Sequence, residues 1–416
     1  MIHLYRYLIA PLFILLLPFI AITNRKVAEG LRLRRQRRLY PELALRPIWI
    51  HASSGEFEYA KSVIRELKKR YPHIPVVVTY FSPTYAQNVK NFPGVDFAMP
   101  LPLDLPGPMR SFLRRLHPRA LLLARTDFWP EMLSQTRRLD IPIHVFSYTQ
   151  RDPRQMGFIA RFIAAWRLKM VDQIHAVSAE DLAHIQTLGE KTPAQLLGDT
   201  RYDQVRFRLD HPKELPQSLK PEPGPLCLVA GSTWPEDEQV LLPAVQPLLR
   251  AGTLKLILVP HEPTAQHIAD LKRQLEAHGI SFALFSQDQP WADRQVLLVD
   301  QVGWLAELYA WGDIAFVGGS FRKTVHSVME ALGAGLKTFV GPLHTNNREA
   351  IEFQNILCAG IPAVTAVASQ QDFTRELQDL SREKLIAFRA PFTREFAARL
   401  GATDRLLKSV PPALLL

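Results

Sequence analysis

Short apolar runs of about five residues, each followed by a stretch of helical length, recur along almost the whole chain, and that alternation admits few folds. In the first half the runs are Pro47–His51, Val76–Phe81, Arg119–Ala124, Ile143–Tyr148 and Gln173–Val177. Between the first two, Ala60, Val63, Ile64 and Leu67 recur at helical spacing within Glu56–Lys69, which predicts an amphipathic helix. Strand, helix and strand in this order read as a parallel sheet with crossover helices. The segment His211–Pro225 carries five prolines and continues neither a helix nor a central strand. Beyond it the alternation restarts with Leu226–Ala230, a helix from about Pro235, Leu254–Val259, a helix from about Thr264, Val296–Val299, Ile314–Val317, a helix from about Val325, and Lys337–Val340. A chain of 416 residues suits two cores rather than one. The expectation is an α/β protein with an N-terminal segment at 1–40, a first Rossmann-like domain at 41–210, a linker at 211–225, a second Rossmann-like domain at 226–416, and a cleft between the domains.

The N-terminal segment is of a different kind. Leu8–Ile22 is an unbroken apolar run of 15 residues containing Pro11 and Pro18, and a dense set of Arg and Lys follows it. A cleaved signal peptide has its charge before the apolar run, so a retained membrane anchor is expected, spanning or dipping into the bilayer. The positive flank then stays on the cytoplasmic side with the rest of the chain. Residues 1–40 hold eight Lys or Arg against Glu29 alone, which accounts for seven of the ten net positive charges. Basic charge concentrated beside an apolar run suits anionic lipid, and no nucleic-acid partner is expected. Cys227 and Cys358 stand far apart without metal-ligand spacing, which predicts two buried thiols in a reducing compartment.

In open parallel sheets ligands sit outside the carboxyl ends of strands, so the loops after each run carry the chemistry. His51-Ala-Ser-Ser-Gly-Glu56 follows the first strand; Glu56 at the start of a helix either favours the helix dipole or serves as a general base. Arg125-Thr-Asp127-Phe-Trp-Pro130 follows another, where Asp127 caps a helix or joins Glu56 as a second carboxylate at the same sheet edge. In the second domain Gly231-Ser232-Thr233-Trp-Pro235 and Val259-Pro-His261-Glu-Pro263 offer hydroxyls and amides to a nucleotide. Gly318-Gly319 after the strand Ile314–Val317 precedes a predicted helix on which Ser327 and Glu330, three apart, share a face. Backbone amides at the glycines would meet an anion, and Glu330 would accept ribose hydroxyls. The chain has no Asp-x-Asp, so no metal is expected to hold a diphosphate; helix N-termini and Lys323, His261 or His326 would meet the leaving-group charge.

These residues together resemble the Kdo (3-deoxy-manno-octulosonic acid) transferases of lipopolysaccharide assembly. The likeness rests on IWIHASSGEFE, VVVTYFSPT, LPLDLPG, TDFWPE, GDTRYD, AGSTWPEDE, LVPHEP, the segment Asp313–Ser320, HSVMEA and FVGP, in order, behind an apolar anchor with a basic flank. The resemblance implies a GT-B fold, CMP-Kdo as donor substrate without a further cofactor, lipid IVA as acceptor, inversion at the anomeric carbon, and a place on the cytoplasmic face of the inner membrane among anionic lipids. It implies catalytic roles for Glu56 and Asp127 and contacts to CMP from Ser232, Thr233, His261, Gly319, Ser327 and Glu330, with Gly318 and His326 beside them. Three features depart from the family pattern: the loop before Glu56 is one residue shorter, Asp127 stands for glutamate, and Ser327 stands for asparagine. They leave two alternatives open, a GT-B transferase or epimerase acting on a UDP-sugar and a weakened membrane-surface paralogue. The sequence does not fix the oligomeric state.

Overall fold

The computed structural model describes residues 1–35, 43–189 and 192–415; Arg37 and Arg38 of the expected basic flank lie outside them. The chain divides into two compact units, Met1–Gln204 with Arg399–Leu416, and Val205–Ala398.

The first unit is built on β1 (Ile48–His51), β2 (Val76–Tyr80), β3 (Phe97–Pro100), β4 (Ala120–Ala124), β5 (Ile143–Tyr148), β6 (Gln173–Ala176) and β7 (Ala194–Leu196). They form one sheet in the order β3-β2-β1-β4-β5-β6-β7, every pairing parallel. Strands β1, β2, β4 and β5 are buried at every residue, as expected of a parallel sheet covered on both faces. On one face Ile48 and Ile50 pack in a cluster with Val63, Ile64 and Leu67 of the helix Phe57–Arg70. On the other, Trp49 meets Phe112 edge-on at 5.0 Å, within a cluster that includes Leu113 and Met132. The helix Phe57–Arg70 forms where its apolar residues were expected, and Lys68, Lys69 and Arg70 occupy its last turn, where positive charge favours the carbonyl end.

The second unit repeats the plan with β8 (Leu226–Thr233), β9 (Leu254–Pro260), β10 (Phe282–Leu284), β11 (Val296–Leu298), β12 (Ile314–Val317), β13 (Lys337–Val340), β14 (Leu357–Cys358), β15 (Ile361–Pro362) and β16 (Val364–Ala366). Its parallel sheet runs β10-β11-β9-β8-β12-β13-β16, with β14 and β15 apart as a two-stranded pair. Setting aside the edge strand β10, this is the doubly wound order 3-2-1-4-5-6, the same order that β1 to β6 follow in the first unit. Two such units in one chain constitute the expected GT-B fold class. Cys227 and Cys358 are buried free thiols.

Three differences from the sequence reading have clear causes. The helix expected from about Val325 is only Met329–Gly333, because the amides of Val325 and His326 donate outside any helix, to the carbonyls of Leu343 and Gly318. The segment 211–225 belongs to the second unit; Leu219 is buried and its carbonyl accepts Trp291 Nε1–H at 2.7 Å. The last stretch, Arg399–Leu416, belongs to the first unit instead of the second. Leu406, Leu407 and Val410 enter the core cluster around Val63, and Asp203 accepts Gly401 N–H at 2.6 Å and Thr403 N–H at 2.7 Å, capping the helix Ala402–Ser409.

The N-terminal helix runs Ile2–Thr23, 22 residues with mean hydropathy 2.0, long and apolar enough to cross a membrane. Asn24 ends it and starts the next helix, Arg25–Arg35, its Oδ1 accepting the amides of Lys26 at 3.1 Å and Val27 at 3.2 Å.

Because one carboxylate caps the returning C-terminal helix, Asp203→Ala is expected to lower the unfolding free energy by about 1–2 kcal/mol. Urea unfolding followed by circular dichroism reads this, and an unchanged midpoint would show that the cap carries no stability.

Candidate functional site

Strand order reverses between β1 and β4 in the first sheet and between β8 and β12 in the second. At such a point the two crossover connections leave to opposite faces, and a crevice opens at the carboxyl edge. The loops singled out in the sequence stand at these two places. His51 ends β1, Asp127 follows β4, Ser232 and Thr233 end β8, and Gly318 follows β12.

In the first unit, Glu56 caps the helix Phe57–Arg70. It is half-buried, and its Oε2 accepts Ser54 N–H at 3.0 Å. The carboxylate is thereby held over its own loop, a role between the capping and catalytic alternatives. Asp127 is positioned by a buried relay that the sequence did not reveal. Trp49 Nε1 donates to Thr79 Oγ1 at 2.8 Å, Thr79 Oγ1 lies 2.8 Å from His51 Nδ1, and His51 Nε2 lies 2.9 Å from Asp127 Oδ2. The Thr79 carbonyl, which can only accept, lies 3.0 Å from the same Nδ1, so β2 holds the ring by backbone and hydroxyl together, with Nε2 facing Asp127. Burial pushes the Asp127 carboxyl up, but the attraction and hydrogen bond of His51, with smaller help from Ser53 and Trp129, outweigh it and hold the group below its ordinary range.

Arg125, with φ of 59°, donates through Nη1 to Tyr59 Oη at 2.6 Å. Its guanidinium lies 4.8 Å from the centre of the Tyr59 ring, and that of Arg201 lies 5.4 Å from it. This pair of cations beside Asp127 also escaped the sequence reading. The only available signal was the presence of each in a quoted motif.

In the second unit Ser232 adopts φ of 55° at an irregularity in the pairing of β8 with β9. Thr233 is fully buried, and its hydroxyl donates to Glu238 Oε1 at 2.8 Å. The Thr233 side chain therefore braces the loop and is not presented to a ligand. Gly318 and Gly319 are needed for close approach, since a Cβ on Gly318 would lie 2.4 Å from the Ser232 carbonyl oxygen, and Gly319 has φ of +97°. Their amides are not open to an anion as expected. Gly318 N–H donates to the Gly231 carbonyl, and Gly319 N–H donates to Asp237 Oδ2 at 2.7 Å. Asp237 also accepts from Trp234 N–H and Phe321 N–H, tying the two loops together, and burial pushes its carboxyl up.

His261 and His326 stack with centroids 4.1 Å apart, and Trp234 adjoins His261 at 4.9 Å. The Arg322 guanidinium lies 3.8 Å from the centre of the Trp234 ring. Trp234 Nε1 donates to His326 Nε2 at 2.9 Å, so the proton of neutral His326 resides on Nδ1. Burial, reinforced by His261, pushes His326 down to about 4; burial, then Arg322, lowers His261. At neutral pH both are therefore neutral, hydrogen-bonding imidazoles. Ser327 precedes the short helix instead of riding on it, yet its hydroxyl reaches Glu330 Oε2 at 2.9 Å. Among the described residues no group of three His, Cys, Asp or Glu side chains is placed to hold a metal ion.

Residues 27–204 match the family model described as 3-deoxy-D-manno-octulosonic-acid transferase (kdotransferase). The chain is 28% identical over 394 residues to the 3-deoxy-D-manno-octulosonic acid transferase of Haemophilus influenzae, covering 88% of this chain and 87% of that one. It is 28% identical over 384 residues to the enzyme of the same name from Bordetella pertussis, covering 88% and 86%. Among solved structures, a UDP-GlcNAc 2-epimerase from Neisseria meningitidis bound to UDP-GlcNAc superposes with a TM-score of 0.59 at 14% identity, over 88% of this chain and 99% of that one. That likeness is one of fold. The match of residues 27–204 to the family model, joined to similarity that covers 88% of the chain, makes this chain similar to the Kdo transferases through both units.

Proposed function

We propose that the chain transfers Kdo from CMP-Kdo to a primary hydroxyl of a lipid A precursor of the lipid IVA type, with inversion at the anomeric carbon and without a metal, at the cytoplasmic face of the inner membrane. The observation that carries this reading is the pair of carboxylates at the reversal point of the first sheet, Glu56 after β1 and Asp127 after β4, in a chain similar to Kdo transferases over most of its length. Glu56 takes the proton from the acceptor hydroxyl as its oxygen attacks the anomeric carbon. The bond from that carbon to the CMP phosphate breaks, and CMP leaves with the electron pair. An alcohol attacks poorly while protonated, so a positioned base contributes about 10²- to 10⁴-fold.

Asp127, held ionised by His51, has no proton to give near neutral pH; it orients the acceptor and favours the positive character that develops at the sugar. In the second unit the stack of Trp234, His261 and His326 offers a flat face to the nucleotide. Ser232, Glu330 and the His326 Nδ1–H supply hydrogen bonds, while the exposed Lys323 and Arg322 supply positive charge for the phosphate. A UDP-sugar as donor is separated from this reading by titrating the protein with CMP and with UDP; preferential UDP binding would overturn the choice of donor.

Incubation with CMP-Kdo and lipid IVA, followed by mass spectrometry of the lipid, is expected to show the mass of added Kdo. Glu56→Gln should lower turnover by about 10²- to 10⁴-fold with CMP binding by calorimetry unchanged, and wild-type turnover in that variant would remove Glu56 from the mechanism.

A second expectation concerns acid. Folding lowers the Asp127 pKa, so its carboxylate contributes stability that is complete above the unfolded value of about 4 and is lost as pH falls through the folded value. Asp127→Asn should therefore flatten the decline in unfolding free energy between about pH 5 and pH 2. Parallel urea-unfolding profiles for the two proteins would contradict the assignment.

A further inference from the structure

The apolar N-terminal helix does not stand apart from the first unit. Near its start, the Arg6 guanidinium donates to Glu131 at 2.7 Å through Nε and at 3.1 Å through Nη2, and Glu131 is fully buried. At its other end the chain turns at Asn24 into the helix Arg25–Arg35. That second helix packs against the first, and near its own end Arg34 donates through Nε to the Leu101 carbonyl at 2.9 Å and through Nη2 to the Phe81 carbonyl at 3.1 Å. Both attachments lie at the carboxyl edge of the first sheet, one beside β2 and β3 and the other after β4. A spanning helix of this length places its ends on opposite sides of a hydrocarbon core about 30 Å thick. Here Arg6 is tied to the unit and Ala10 and Leu17 are buried against it, so one side of the helix is held along the unit, an arrangement that suits a helix lying along the membrane surface.

Its exposed side is an apolar stripe of Leu8, Leu12, Leu15, Phe19 and Ile22. Its opposite side, with Ala10, Ile14 and Leu17, roofs an apolar cavity of about 260 Å³ whose floor is Phe81–Pro83, Leu101–Leu105 and Trp129. Asp104 is the one acid in the lining, and its oxygens are engaged by the amides of Glu131 and Met132. Lys26 and Arg34 also line the cavity, and Arg25 beside Lys26 is exposed, which suits a lipid that carries negative charge at its head. The cavity floor is continuous with the candidate catalytic loops. The amides of Phe81 and Ser82 both donate to the Ser53 carbonyl, at 2.9 and 2.8 Å, and Trp129 is two residues from Asp127.

From this geometry we infer that the cavity receives one acyl chain of the phosphorylated acceptor lipid and so brings its sugar to Glu56 without the lipid leaving the bilayer. The inference rests on the proposed reaction. Since a cavity of about 150 Å³ holds a six-carbon benzene, this one accommodates roughly ten methylenes, a single chain.

The test uses the full chain in phosphatidylglycerol vesicles and a lipid A disaccharide bisphosphate bearing a photoreactive acyl chain. Crosslinks mapped by mass spectrometry are expected on Ile14, Leu17 and Leu103, and are expected to disappear in Ile14→Trp and in Leu103→Trp, which fill the cavity from the roof and from the floor. Crosslinks spread over Leu12, Leu15 and Phe19, unaffected by either variant, would mean that only bulk lipid contacts the helix and would overturn the inference.

Turnover supplies the second readout. The ratio of kcat/KM for the acylated acceptor to that for its deacylated form should fall at least about tenfold in both variants, and an unchanged ratio counts against the cavity. Absence of Kdo transfer by the wild-type protein, with crosslinks still confined to the cavity, would sink the proposed reaction and leave the acyl site standing.

Discussion

The parallel pairing of β1 with both β2 and β4 is the constraint on which the first unit depends. A strand flanked on both sides by parallel neighbours is buried on both faces, and its polar business is forced to its carboxyl end. That single fact explains why IWIH carries no exposed residue while the next five residues carry two serines, a glycine and a glutamate. It also explains the relay beneath Asp127. A histidine at the last position of a fully buried strand needs partners for both nitrogens, and Thr79 on β2 and Asp127 after β4 are what the two neighbouring strands deliver. Sheet order thus sets the electrostatics of the candidate carboxylate.

The second unit applies the same order to a different end. Its reversal point is closed by Asp237, whose carboxylate consumes amides that in many nucleotide-binding loops face a phosphate. With those donors occupied and both nearby imidazoles neutral, positive charge for a phosphate has to come from flexible surface side chains. In the proposed reaction such a site would hold the nucleotide through its base and ribose more than through its phosphate, as suits a donor with one phosphate.

Much of this was legible in the sequence because parallel strands announce themselves as short apolar runs. Central strands such as Ile143–Tyr148 and Ile314–Val317 were predicted to the residue. The strands that escaped prediction, among them Phe97–Pro100, Ala194–Leu196 and Phe282–Leu284, have residues that are only partly buried, so they lack a continuous apolar signal. The return of Arg399–Leu416 to the first unit was invisible for another reason. It depends on Asp203 meeting amides almost two hundred residues later, and no local pattern encodes such a contact. At the site, residue types singled out the loops that hold Glu56, Asp127, Ser232 and Glu330, but the direction of a side chain is tertiary information. Thr233 turns to Glu238, Gly318 N–H to the Gly231 carbonyl and Gly319 N–H to Asp237, and residue types on a loop do not announce such partners.

The same distinction governs the N-terminal helix. Hydropathy alone makes Ile2–Thr23 a spanning candidate, because length and composition report what a segment tolerates around it and not where its ends are tied. Arg6 near the start of this helix pairs with the buried Glu131, and Ala10 and Leu17 are buried along the side that lines the cavity. On the inference drawn above, the membrane would meet this helix side-on. The apolar stripe would then face lipid while the opposite side faces the candidate loops, and in the proposed reaction the same helix would form one wall of the path by which a lipid substrate reaches Glu56.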